Sequence, residues 1–171
     1  MTAPHFGMTF TRPQDEPVPV LGADFSKVLL IETSADANAT TFPLDTPVRF
    51  SSSDATKTAD LGTGALADAV RAINDQLSGL NAGADVTVVR IAEGTGGTSE
   101  ESAAATRANI VTALGKVSEI PSAVNSTPRL IWAGRTSWRA DLDTANPVVA
   151  ALPSACEKLL AVAAVDVDDT S

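Results

Sequence analysis

Two stretches of this sequence carry spacings that phosphate and carboxylate chemistry use. Gly94-Thr95-Gly96-Gly97-Thr98 lies between an apolar run and a helical pattern. Such a turn lets backbone N–H groups approach an anion, and the helix dipole favours negative charge there. The dinucleotide fingerprint fails at its third glycine, which is Ser99, and no Gly-Lys-Ser/Thr follows to make a P-loop. Glu93, Glu100 and Glu101 also crowd the turn with charge that repels phosphate. A plain strand-to-helix turn is the simpler reading. In the second stretch, Val165-Asp166-Val167-Asp168-Asp169-Thr170, Asp166 and Asp168 stand two apart after an apolar run. A polar strand end is the simpler reading of that spacing. The only histidine, His5, and the only cysteine, Cys156, are far apart in the sequence. They give neither a nucleophile with a well-placed base nor a zinc ligand set. Trp132 and Trp138 flank Gly134-Arg135; an exposed Trp-Arg pair can anchor an interface, whereas a core Trp132 with Trp138 under a loop is the blander alternative. No catalytic, cofactor or metal set is assigned.

The elements that must position these residues follow from periodicity. Residues 1–22 read as an extended arm, because Pro4, Pro13, Pro17 and Pro19 forbid a helix. Within it Phe6, Met8 and Phe10 alternate with Gly7, Thr9 and Thr11, the period of a strand with one apolar face. Such a strand either tucks onto its own sheet or is donated to the sheet edge of another molecule. Residues 23–171 then alternate strand and helix. Lys27–Ile31 is a buried-type strand followed by a polar loop from Glu32 to Thr41, and Val48–Phe50 is a short edge strand after Pro47. Leu66, Val70, Ile73 and Leu77 mark one face of a helix between Gly64 and Gly79. Val86–Ile91 is the clearest strand. Thr98 and Glu101 have capping-box spacing before a helix whose inner face carries Ala103, Ile110, Leu114 and Val117. Arg129–Trp132 is a third strand. Asn146 and Pro147 open a further helix, with Val149, Leu152, Cys156 and Leu159 as its apolar face and Pro153 expected to kink it or mark its first turn. Ala161–Val165 closes as a strand. The predicted fold is α/β, alternating strands and helices around a largely parallel sheet, with an extended N-terminal arm.

Composition narrows the function classes. With 171 residues and 44% hydrophobic content, the chain suits one domain with a real core. Its net charge of −9, with no cluster of Lys and Arg, argues against direct nucleic-acid binding. The N-terminus lacks the basic start and apolar run of a signal peptide, and Leu159–Val165 is too short to cross a bilayer, so a soluble protein without membrane insertion is expected.

The order of segments resembles the contractile tail sheath proteins of tailed phages and phage-tail-like bacteriocins. The matching stretches are Phe6–Phe10, Val28–Ala37, Phe42–Val48, Leu61–Leu66, Val88–Gly94, Asn109-Ile110, Pro128–Gly134 and Ala161–Asp166. Their order and spacing, rather than any one piece, carry the likeness. The Val165–Thr170 run separately resembles the first motif of haloacid-dehalogenase-type phosphatases, which implies a nucleophile at Asp166 and a general acid/base at Asp168 with magnesium offsetting their repulsion, but there the motif opens the domain and the other catalytic residues follow it. A small phosphatase or nucleotide-binding enzyme using the Gly94 loop or Asp166 and Asp168 is therefore the alternative. The sheath resemblance implies a structural homo-oligomer without cofactors, located in the virion tail and assembled in the host cytoplasm. Its partners would be other sheath subunits, the tail tube and the baseplate. Subunits stack as rings around the tube, and terminal arms add strands to neighbouring subunits; Phe6, Met8, Thr9, Phe10 and Thr11 are the arm residues it points to. Contraction then drives the tube through the host envelope without nucleotide. It also implies a C-terminal domain packing on the inner tube, beyond Ser171, so that the chain by itself is expected to be mostly monomeric.

Overall fold

Valine- and isoleucine-rich runs set the strands, and polar caps set where the helices begin. The structure, a computed structural model, describes residues 26–78, 80, 82–139 and 144–166. Strand β1 (Lys27–Thr33) is followed by β2 (Pro47–Ser51), α1 (Ala55–Asp60), α2 (Ala65–Leu77) and β3 (Asp85–Ile91). Then come α3 (Ser99–Gly115), a 3-10 turn at Val117–Glu119, α4 (Ile120–Val124), β4 (Leu130–Ala133), α5 (Pro147–Leu159) and β5 (Val162–Ala164). The five strands lie in the order β2-β3-β1-β4-β5. β1 pairs in parallel with β3 and β4, β4 pairs in parallel with β5, and only β2 runs antiparallel, at the edge beside β3. The fold is thus α/β around a largely parallel sheet. The arm residues Phe6, Met8, Thr9, Phe10 and Thr11 lie outside the described residues.

β1 and β3 are buried along almost their whole length, as central strands covered on both faces must be. Alternate side chains feed two cores. Leu29, Ile31, Val89, Ile91 and Ile131 pack with Ile110 and Leu114 of α3 and with Val148, Leu152 and Leu159 of α5. On the other face Val28, Leu30, Val86 and Val88 pack with Phe42, Phe50, Leu61 and with Leu66 and Val70 of α2. Each of these side chains, fully buried, contributes about 1.5–3 kcal/mol by leaving water.

The helix starts obey local chemistry. Asp54 caps α1 by accepting from Thr56 N and Lys57 N, and the Thr98–Glu101 capping box at α3 has both reciprocal bonds. Asn146 accepts from Val148 N at α5, with Pro147 at the first helical position, where its missing N–H costs nothing.

Four expectations need correction. The loop predicted from Glu32 begins later, because Glu32 and Thr33 continue β1 and Glu32 is buried at 1% exposure. The buried stripe of α5 is Val148, Leu152, Ala155 and Leu159, spaced i, i+4, i+7, i+11; Val149 is 38% exposed and Cys156 only half-buried. Packing on the sheet selects this phase, in which Val148 and Ala155 rather than their neighbours Val149 and Cys156 turn inward. Pro153 marks no first turn, since the helix continues through it from Pro147 to Leu159. The closing strand is shorter, Val162–Ala164 rather than Ala161–Val165, because Ala161 N–H closes the C-terminus of α5 by donating to Cys156 O.

Candidate functional site

In this order of strands, β1 leads through β2, α1 and α2 to β3 on one side, and β3 leads through α3 and α4 to β4 on the other. The loops leaving the carboxyl ends of β1 and β4 therefore diverge to opposite faces. Open α/β sheets bind ligands at such a switch point. The residues at the carboxyl ends of β1, β3 and β4 are the candidate site.

Three positions form a row across the sheet on the α2 side. Register pairs Glu32 with Arg90, and continuing the β1–β4 pairing beyond Ile31–Ala133 brings Glu32 beside Gly134. The Glu32 carboxylate rests against Gly134 so closely that a Cβ there would lie 1.4 Å from Oε2. Only glycine fits beside the buried acid. Glu32 Oε1 accepts from Thr33 N and Thr33 Oγ1, both at 3.0 Å. It also faces Arg135 Nε at 3.3 Å, and Arg135 holds a left-handed φ of +63° to turn the chain there. Arg90 donates Nη1 to Ser34 O at 3.2 Å, while its Nε is buried without a hydrogen-bond partner among the described residues.

The polar groups above this row tie loops to one another. Ser34 Oγ donates to Leu61 O at 2.6 Å. Asp36 accepts from Thr63 N and from Thr63 Oγ1 at 2.6 Å, and these bonds, the hydroxyl's first, hold its carboxyl below the ordinary carboxylate range. Asn146 Nδ2 donates to the carbonyls of Arg135, Thr136 and Trp138 at 2.8–3.0 Å. Trp138 in turn stacks on the guanidinium of Arg107, 3.5 Å from the ring centroid. Arg107 is itself buried and paired with Glu100 at 2.8 Å. Trp138 therefore packs under its loop, while Trp132 is partly buried against the α2-side core.

The Gly94–Thr98 turn lies at the same end of the sheet, and its glycines serve close packing on α3. A Cβ at Gly94 would meet Ser102 O and Thr106 N at 2.4 Å, and one at Gly96 would meet Glu101 Cβ at 2.5 Å. Gly94 N donates to Thr106 Oγ1 at 2.9 Å, and Asn109 Nδ2 donates to Ala92 O at 3.0 Å. At the helix N-terminus Glu101 Oε2 accepts from Thr98 N at 3.0 Å, so the protein's own carboxylate sits where an anion would approach. Asp166 N donates to Thr136 Oγ1 at 3.0 Å and the residue is exposed; Asp168 lies outside the described residues.

Sequence reasoning did not single out Glu32, Arg90, Ser34 or Asn146 as a group. Only the Asn146-Pro147 helix start pointed at one of them, since the others meet through strand register rather than spacing. Among the described residues no cluster of three His, Cys, Asp or Glu could hold a metal, and no helix is long and apolar enough to cross a membrane. No protein-family model matches the chain, and no curated protein matches it.

Proposed function

We propose that this chain is the α/β portion of a structural subunit of a phage-type contractile tail sheath, which polymerises around the tail tube and contracts to drive it through the host envelope. The observation that carries the reading is where the sheath-like segments fall. Val28–Ala37 forms β1 and its exit loop, Leu61–Leu66 enters α2, Val88–Gly94 ends β3, Pro128–Gly134 spans β4 and Ala161–Asp166 spans β5. At the switch point these same segments supply Glu32, Ser34, Asp36, Thr63, Arg90 and Gly134, whose polar groups bind neighbouring loops.

A rim stitched in this way suits a body that must move as a unit and transmit load. A catalytic site needs groups held free for substrate, with a nucleophile beside its base. A sheath subunit needs a rigid domain and an extended linker that lets domains swing without parting. The arm's prolines fit such a linker, and the alternation from Phe6 to Phe10 fits strand donation to a neighbour.

The test is electron microscopy of the protein expressed from its complete reading frame, alongside a magnesium-dependent phosphatase assay and a nucleotide titration. Rings or tubes with both assays silent are expected. A dispersed protein that turns over a phosphate ester or binds nucleotide overturns the reading in favour of the enzyme alternative.

A further inference from the structure

Little apolar surface holds β5 to the body. Of its three residues only Ala163 packs against the core under α3 and α5, while Val162 is 54% exposed and Ala164 is exposed. Among the described residues it pairs with β4 alone. Its entry is fixed by Arg129. The Arg129 carbonyl accepts from Val162 N at 2.9 Å, and the guanidinium donates to Leu159 O at 2.6 Å and Leu160 O at 3.3 Å. Leu160 turns the chain out of α5 with a left-handed φ of +51°, and Ala161 N closes the helix on Cys156 O at 3.0 Å.

The exit is fastened differently. Every second amide of a strand points to the same neighbour, so Val162, Ala164 and Asp166 turn their N–H groups toward β4. With Val162 on Arg129 O, a continued ladder would bring Asp166 N to Ala133 O. Asp166 N donates instead to Thr136 Oγ1, at 3.0 Å. Thr136 is buried, and Asn146 sets it in place. Asn146 Nδ2 donates to the carbonyls of Arg135, Thr136 and Trp138, while its Oδ1 accepts from Val148 N to cap α5.

We propose that Thr136 and Asn146 form a latch on β5, and that β5 is a detachable strand. When the Thr136 bond opens, the strand swings out on the Leu160–Ala161 pivot while the other four strands stay folded. Opening of this kind is favoured where few buried apolar contacts are lost, and β5 gives up only that of Ala163. The latch thus decides whether the sheet ends at β5 or at β4. Because the chain runs on past Asp166, tension on it reaches the latch before it reaches the sheet. The device stands on this geometry alone and is independent of ring formation.

Amide hydrogen exchange of the full chain, read residue by residue by NMR, tests it. Ala164 and Asp166 should exchange as one group, about tenfold or more faster than the amides of β1 and β3. Thr136→Val keeps the shape and removes the hydroxyl; it should speed both amides by about three- to tenfold, the worth of one hydrogen bond. Ala161, whose amide belongs to the helix end, and β1 should not change, and Thr136→Ser should keep the slower rates. Asn146→Asp retains the cap on Val148 and removes the donors to the turn. It should release the same two amides, and it decides the question if Thr136→Val does not fold. Ala164 exchanging as slowly as β1 would overturn the detachable strand. Thr136→Val speeding Asp166 alone, or speeding Ala161 and β1 equally, would overturn the latch, as would Thr136→Ser exchanging as fast as Thr136→Val.

Discussion

Gly134 and Glu32 are an acid and a glycine made for each other by register. An Ala at 134 would place its Cβ 1.4 Å from the buried carboxylate, so the side chain or the strand must shift. Overpacking of this kind costs about 1–3 kcal/mol. Gly134→Ala is expected at the upper end of that range in urea unfolding, with partial recovery in Gly134→Ala/Glu32→Ala, where the clashing group is gone. An unchanged midpoint would mean that Glu32 does not occupy this position. Asp36 gives a pH signature. Its bonds to the Thr63 hydroxyl and amide depress the folded pKa, so the stabilisation is complete above the ordinary carboxylate value and is lost as pH falls through the depressed folded value. Stability should therefore decline on the acid side below about pH 4, and Asp36→Asn should flatten part of that decline. Parallel pH–stability curves for the two proteins would remove Asp36 from the account.

Among the elements, α5 holds the clearest internal conflict. Pro153 stands in the middle of the helix and faces solvent, and its missing N–H leaves the Val149 carbonyl without its helical donor. Pro153→Ala should raise stability by about 1–3 kcal/mol, read as a higher urea midpoint at unchanged slope. A loss of stability would show that the proline sets the path of the helix. This element also shows how far periodicity reaches. The sequence placed its start at Asn146-Pro147 but put the buried stripe partly one residue out, because Val148 and Val149 are equally apolar and only the sheet chooses between them. β3 and α2 were legible because an unbroken β-branched run and a clean i, i+4, i+7, i+11 pattern leave one solution each. α1 was missed: its six residues have no buried face, and Asp54 was the only available signal. Glu32 was read as loop because a carboxylate in an apolar strand goes against the usual cost of burial. Its reason lies in Gly134, about a hundred residues away, which no local pattern shows.

At the scale of the whole molecule, the sheet has two different edges. β2 closes one antiparallel, and Arg49 clamps it to β3 through two 2.7 Å bonds to Asp85. Among the described residues β5 forms the other edge, three residues long, beside a groove lined by Leu130, Trp132 and Ala164. An edge of this kind is a liability in an isolated protein and an asset in one that polymerises by strand exchange. The central claim is that residues 1–22 join one subunit to the next while the α/β body folds without them. Negative-stain microscopy of the complete protein, with and without residues 1–22, addresses it most directly, with circular dichroism confirming the fold of each. The intact protein should form rings or tubes, and the deleted one should remain folded and dispersed. Regular sheaths assembled from the deleted protein would contradict the account.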